Sequence, residues 1–307
     1  MKIITDIKEG ATAHCAATIG SFDGVHLGHQ AMIAELRKAA DREGLPLTVV
    51  TFARHPRLLF DKECEPFLLT TESEKMAAFE TLGVDQVVLL DFDNSMASMC
   101  AERFMREVLV DALRVKLLGV GYDHHFGKPC EGEGFEQYVA YGKALGVEVV
   151  RLSPFSHEGN KVSSSVVRRA LSNGDIATAN ALLGHAYSFS GRVVNGAGIG
   201  RGLGFPTANI ELFDSKKLLP SNGVYEVDAE LGDQSYKGVM NIGVNPTVSD
   251  RMQRSIEVHL LDFSGDIYGK EMTVTPHRRL RGEVSFNSID ALKLQISVDV
   301  ARVRRGI

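Results

Sequence analysis

Five short apolar runs in the first half of the chain, at 16–19, 47–52, 86–90, 115–120 and 147–152, alternate with helical patterns at 29–42, 73–82, 101–113 and 134–145. Nothing else in the sequence constrains the fold as much. Strands that return through helices pair in parallel, so the pattern predicts a parallel sheet covered by helices on both faces. Ligands of such sheets bind at the carboxyl ends of the strands. In the segment 29–42, Ile33, Leu36 and Ala40 fall on one helical face.

The pattern changes after about Gly184. Short β-rich runs at 187–194, 224–231, 236–242, 255–261 and 271–275 are separated by Gly, Pro, Asn and Asp. They predict a small β-barrel or sandwich. A closing helix is expected over 288–303, with Leu292, Ile296 and Val300 at helical spacing. A length of 307 residues fits two domains, and the expected division is 1–184 and 185–307.

Charge and cysteine usage narrow the function classes. The chain carries 34 basic and 39 acidic residues, a net charge of -5, which offers no bulk attraction to nucleic acid. The start, MKIITDIKEG, lacks the apolar stretch of a secretory signal, and no apolar run approaches the ~20 residues of a membrane helix. Cys15, Cys64, Cys100 and Cys130 are scattered without a CxxC pair. The expectation is a cytoplasmic protein without a disulfide framework, a zinc site, a nucleic-acid partner or a membrane span.

Residues 20–29 read GSFDGVHLGH, between an apolar strand and an amphipathic helix. Gly20, Gly24 and Gly28 allow a sharp turn and close approach of backbone to a ligand. The helix start offers free N–H groups to an anion. His26 and His29, three apart, share one face there and suit a phosphate that gains charge during transfer. The same pair is compatible with surface histidines or a metal site, although no Cys or acidic residue stands at zinc spacing. The serine run Ser163, Ser164 and Ser165, with Arg168 behind it, can cap a helix and hold phosphate oxygens, or simply cap a surface helix.

Residues 191–209 read GRVVNGAGIGRGLGFPTAN. Neither a P-loop nor a dinucleotide fingerprint fits, since GxxxxGK[ST] is absent and no helix is expected to follow. The glycines read equally as a surface loop or as a backbone cradle for phosphates. In the run 255–261, Ile256, Val258 and Leu260 alternate with Glu257 and His259, which therefore point together.

These segments also carry a resemblance. HLGH resembles the HxGH signature of the nucleotidyltransferase superfamily, and GSFDGVHLGHQ resembles the adenylyltransferase module of bacterial bifunctional FAD synthetases. TFARHP at 51–56, GVGYDHHFG at 119–127 and VSSSVVR at 162–168 follow in that family's order, with Arg54, His124 and Ser165 departing from its usual residues. The glycine-rich string resembles the flavokinase GxVxxGxxxGRxxGxPTAN, and NIGVNPTV at 241–248, SIEVHLLDFSGDIYG at 255–269 and RRLRGEVSF at 278–286 also match in order.

The resemblance implies a Rossmann-like HxGH nucleotidyltransferase domain followed by a flavokinase β-barrel with a C-terminal helix. It implies two uses of ATP: riboflavin to FMN, then FMN to FAD with release of pyrophosphate. His26 and His29 would stabilise charge on the α-phosphate, and Gly20, Phe22, Asp23, Gly24, Gly28, Ser163, Ser164, Ser165 and Arg168 would bind ATP there. Thr51, His55, Pro56, Asp123 and Phe126 would line the flavin or nucleotide. In the kinase, Gly196, Gly200, Arg201, Gly204, Pro206, Thr207 and Asn209 would bind ATP, Thr207 and Asn209 would hold Mg²⁺, and Glu257 would be the base. Arg281 would touch the flavin, or belong to a solvated basic turn with Arg278 and Arg279. The implied partners are ATP, riboflavin, FMN and FAD, with the protein a monomer or weak homo-oligomer.

Overall fold

A computed structural model of the chain describes residues 1–7, 13–61, 64–65, 67–122, 126–128, 134–196, 198–244 and 254–306. Packing divides it into two units, Met1–Glu65 with Thr70–Ser163, and Pro66–Leu69 with Ser164–Ile307.

The first unit runs β1 (Lys2–Ile4), β2 (Cys15–Ile19), α1 (Leu27–Glu43), β3 (Leu47–Phe52), α2 (Arg57–Phe60), α3 (Glu72–Thr81), β4 (Gln86–Leu90), α4 (Asn94–Ser98) and α5 (Ala101–Phe104). A π-helical stretch, Met105–Ala112, continues α5, and β5 (Val115–Val120), α6 (Phe135–Leu145), β6 (Glu148–Arg151) and the small pair β7 (Ser156–His157) and β8 (Asn160–Lys161) complete it. The six-stranded sheet has the order β1-β4-β3-β2-β5-β6, with every pair parallel. One core cluster includes Val50, Val88 and Leu118, and another includes Val49, Val87 and Leu117. Neighbouring residues of one strand thus enter different clusters, as a sheet covered on both faces requires. Helix α1 buries Ile33, Leu36 and Ala40, the stripe expected from their spacing.

The second unit opens with α7 (Ser164–Ser172) and α8 (Ile176–Leu183), followed by β9 (Phe189–Val194), α9 (Ile199–Leu203), β10 (Ala208–Leu212), β11 (Gly223–Leu231), β12 (Gln234–Val244), β13 (Arg254–Leu260), β14 (Glu271–Arg281) and α10 (Ile289–Arg305). Its strands close into a barrel, β10-β13-β12-β11-β14-β9, entirely antiparallel. The barrel alternative of the sequence reading is therefore the one adopted. By packing, α7 and α8 go with the barrel, whereas the change of sequence pattern falls after them.

Arg278, Arg279 and Arg281 do not form a solvated turn. They lie at the end of β14, where Arg278 Nε donates to Glu226 Oε2 at 2.6 Å and Arg279 to the Asn222 carbonyl at 2.6 Å. Arg281 Nε donates to Asp299 Oδ2 at 2.9 Å, and Asp299 also accepts from Gln295 at 3.0 Å. Asp299 is 1 % exposed, so this ion pair fastens α10 to the barrel. Removing one partner of a buried pair strands the other charge. Asp299→Ala is therefore expected to cost the second unit about 3–5 kcal/mol, read as a lowered midpoint in urea unfolding.

Candidate active sites

In the first sheet the chain passes from β2 outward through β3 and β4, then crosses to β5 on the other side of β2. The winding direction reverses at β2, and such a switch point opens a crevice at the strand ends. GSFDGVHLGH leaves β2 there. Its backbone is left-handed at Phe22 (φ 49), Gly24 (φ 86) and Val25 (φ 38), which costs roughly 1–2 kcal/mol at each non-glycine. Surrounding bonds hold the strained turn. Gly20 N donates to Val50 O at 3.1 Å, Gly24 N to Thr70 Oγ1 at 3.0 Å, and Thr70 N to Asp23 Oδ1 at 3.1 Å.

His26 caps α1. Its Nδ1 accepts the backbone N–H of His29 at 3.3 Å, so the proton of its neutral ring sits on Nε2. The two imidazoles stack with centroids 3.7 Å apart and planes 14° from parallel. A Cβ on Gly28 would stand 3.2 Å from the His26 ring, a tight contact that would push on the imidazole. On its other side His29 meets Phe22 at 5.1 Å, and Phe22 meets Phe79 edge-on at 5.5 Å.

Three residues expected to contact ligand have side chains directed inward instead. Phe22, Asp23 and Thr51 are 1 %, 3 % and 0 % exposed. Phe22 backs His29, Asp23 fastens the turn to Thr70, and Thr51 donates to the Ser21 carbonyl at 3.3 Å. These side chains brace the turn, which leaves its backbone groups to face a ligand. His55, Pro56 and Phe126 do line a pocket of about 280 Å³ over the ends of β2 to β5, together with Ile19, Ser21, Phe52, Phe92, Met96, Ala97, Phe104 and Gly127. Phe126 is stacked on Tyr138 at 4.5 Å. Asp123 lies outside the described residues.

Lys75 was not singled out from sequence. It is 8 % exposed on α3, and its Nζ donates to Thr51 Oγ1 at 3.2 Å, Phe52 O at 3.2 Å and Ser21 O at 3.4 Å. Burial lowers its pKa, opposed by the charges of Asp23 and Glu72. Its spacing with Phe79 and Leu82 on one helical stripe was the available signal.

Ser163 ends the first unit, and Ser164, Ser165 and Arg168 fall on α7 of the second. Arg168 Nε donates to the Phe67 carbonyl at 2.8 Å, and its guanidinium lies over the Phe67 ring at 5.6 Å.

In the barrel, the glycine-rich string spans the end of β9, the short helix α9 and the start of β10. That helix departs from the loop read from sequence. It sits between Gly198 (φ 71) and Gly204 (φ 86), both left-handed, and carries Gly200 and Arg201. Arg201 donates to the Tyr268 hydroxyl at 3.3 Å. A Cβ on Gly196 would collide with the Asn209 amide, and one on Gly200 would meet the Phe205 carbonyl at 2.5 Å and Thr207 Oγ1 at 3.2 Å. The glycines therefore clear space around Thr207 and Asn209.

Strand pairing brings the rest together. Asn209 is the partner of Glu257 on one side, and Asn241 is its partner on the other. Thr207 Oγ1 donates to Glu257 Oε2 at 3.3 Å. His259 shares the Glu257 face, and its Nδ1 bonds the Pro206 carbonyl at 2.8 Å. Ile256, Val258 and Leu260 are buried on the opposite face, as expected. Arg281 is engaged by Asp299, away from this row of polar residues in its bonding.

Comparison with known proteins finds a separate family match for each half of the chain. Residues 8–166 match the FAD synthetase family and residues 183–307 the riboflavin kinase family. The chain is 42 % identical over 293 residues to a bifunctional riboflavin kinase/FMN adenylyltransferase of Pseudomonas fluorescens, covering 94 % of this chain and 92 % of that one. It is 39 % identical over 302 residues to the Escherichia coli K12 protein of the same name, covering 98 % and 95 %. A solved structure described as a macrolide-efflux protein from Streptococcus pneumoniae aligns with TM-score 0.87 and 32 % identity, covering 98 % of each chain. Among the described residues of this chain, no helix is long and apolar enough to cross a membrane. With both halves matched to family models and relatives of 39–42 % identity aligned almost end to end, the chain belongs to the bifunctional riboflavin kinase/FMN adenylyltransferase family.

Proposed function

We propose that the barrel phosphorylates riboflavin through Glu257, and that the α/β unit adenylylates the resulting FMN through His26 and His29. The Thr207–Glu257 hydrogen bond carries the first assignment. A primary hydroxyl must lose its proton to attack the γ-phosphate of ATP. With Oε2 accepting from Thr207, the Glu257 carboxylate is oriented and Oε1 is left for the ribityl 5′-hydroxyl.

Thr207, Asn209 and Glu257 present only oxygen ligands within one cleared corner of the barrel, and among the described residues no cluster of three His, Cys, Asp or Glu offers an all-protein metal site. That donor set fits Mg²⁺ shared with nucleotide phosphates. Thr207 and Asn209 would hold the ion, which when bound neutralises phosphate charge. The Thr207 proton directed at Glu257 turns the hydroxyl's lone pairs toward such a ligand.

In the α/β unit the FMN phosphate, already mostly ionised near pH 7, attacks the α-phosphate of ATP and pyrophosphate leaves. No strong base is needed. The backbone N–H groups of Leu27 and Gly28 at the start of α1, the Nε2–H of His26 and the ring of His29 receive the charge that develops on the α-phosphate oxygens. The aromatic pocket beside the turn suits a planar apolar ring, and we assign it to the isoalloxazine. The small-molecule chemistry, net charge of -5 and scattered cysteines support a cytoplasmic enzyme, monomeric or weakly self-associating, with no nucleic-acid partner.

Purified protein incubated with riboflavin, ATP and Mg²⁺ is expected to yield FMN and then FAD by chromatography. Absence of FMN would remove the kinase assignment. FMN without FAD, also when FMN is supplied, would remove the adenylyltransferase assignment.

A further inference from the structure

We propose that Lys75 is a positioning residue for adenylyl transfer, one that acts through the backbone of the glycine-rich turn rather than by touching substrate. The inference rests on the assignment of FAD formation to His26 and His29. The Lys75 ammonium gathers three oxygens from two neighbouring strand ends: Ser21 O after β2, and Thr51 Oγ1 and Phe52 O at the end of β3. Ser21 is where the left-handed stretch begins, since Phe22 follows at φ 49. In a trans peptide the carbonyl and the next N–H point in opposite directions. Holding the Ser21 carbonyl toward Lys75 therefore directs the Phe22 N–H away from it, as a donor for the phosphates.

The same peptide sets the Phe22 ring against His29, whose ring stacks on His26. Lys75 thus orders a chain from the strand ends to both imidazoles. The arrangement has an energetic logic. Neither Phe22 nor Val25 adopts its backbone conformation without strain, and a turn under strain relaxes unless its surroundings over-determine it. A buried ammonium bonded to the Ser21 carbonyl in the turn and to the Phe52 carbonyl of β3 supplies that restraint; burial lowers its pKa, and the Asp23 and Glu72 charges oppose that shift.

The test is a double-mutant cycle on FAD formation from FMN. Lys75→Met, similar in length and uncharged, is expected to lower kcat about 100-fold, the size of effect a misplaced catalytic geometry produces, with KM for FMN and ATP changed less than about 3-fold. Riboflavin phosphorylation by the same chain stays unchanged. Combined with His29→Ala, the loss is expected to be no larger than that of His29→Ala alone, because both act through one turn. Lys75→Arg, which keeps the charge and donors, should recover most of the rate. Val84→Ala, a core change in the same unit, serves as a control for lost stability and should keep kcat.

The proposal is overturned if Lys75→Met keeps kcat within about 3-fold, or if its loss multiplies with that of His29→Ala. It is equally overturned if Val84→Ala, at matched loss of stability, loses as much activity. Should Lys75→Met fail to fold, Lys75→Gln enters the same cycle with the same criteria. If His29→Ala itself leaves FAD formation intact, the assignment of the histidines fails, and Lys75 is not the cause.

Discussion

Glu257→Gln is expected to stop FMN formation, with kcat for riboflavin phosphorylation down about 10³-fold, or ~4 kcal/mol of transition-state free energy. The substitution is close to isosteric. The amide oxygen can still accept from Thr207 Oγ1, so the bond seen at 3.3 Å need not be lost. What disappears is the capacity to take a proton. The barrel should melt as before, MgATP should bind as before, and FAD formation from added FMN should continue at the wild-type rate. Loss of both activities in a folded variant would contradict the two-site reading, and unchanged FMN formation would remove Glu257 as the base.

His29→Ala is expected to act on the other reaction, lowering FAD formation about 10²–10³-fold while FMN accumulates from riboflavin. His26 needs a different substitution, because it has two tasks. Its Nδ1 caps α1 by accepting the His29 N–H, and loss of a cap typically costs ~1 kcal/mol. His26→Asn keeps an acceptor at the cap, since Asn is among the best N-cap residues, but it lacks the Nε2–H. That variant should retain the thermal stability of the α/β unit and still lose FAD formation by a similar factor. Retained activity in His26→Asn would reduce His26 to a helix cap. Flavin chromatography reads both variants.

The extent to which the sequence disclosed this arrangement varies with how local each cause is. Strands β3, β4 and β5 were readable to the residue because they are predominantly apolar runs bounded by turn signals. The three-residue strand β1 carries too few residues for a pattern. Strand β10 was absorbed into the glycine-rich string, and α9 hid among glycines that read as loop. The stretch 101–113 announced a helix, but apolar spacing does not distinguish the π-helical Met105–Ala112 from an α-helix.

The sites divide in the same way. His26 and His29 sit in one turn, so their proximity followed from spacing. The Glu257–Asn209 pairing needed strand register, which no local pattern supplies. Asp23 and Thr51 read as ligand contacts because polar residues in a nucleotide motif invite that reading. Their inward direction depends on Thr70 and Lys75, far along the chain. Lys75 itself stands in ESEK, which reads as solvated surface.

The pairing of Glu257 between Asn209 and Asn241 limits where this enzyme can change length. Side chains alternate between faces along a strand, so gaining or losing one residue inside β13 would turn Val258 or Ile256 toward the polar row and bury Glu257 among apolar neighbours. An extra residue escapes this flip only by bulging out of the ladder. Indels that lineages tolerate should therefore gather in the connections between strands, and within β9, β10, β12 and β13 sequence drift should proceed by substitution alone.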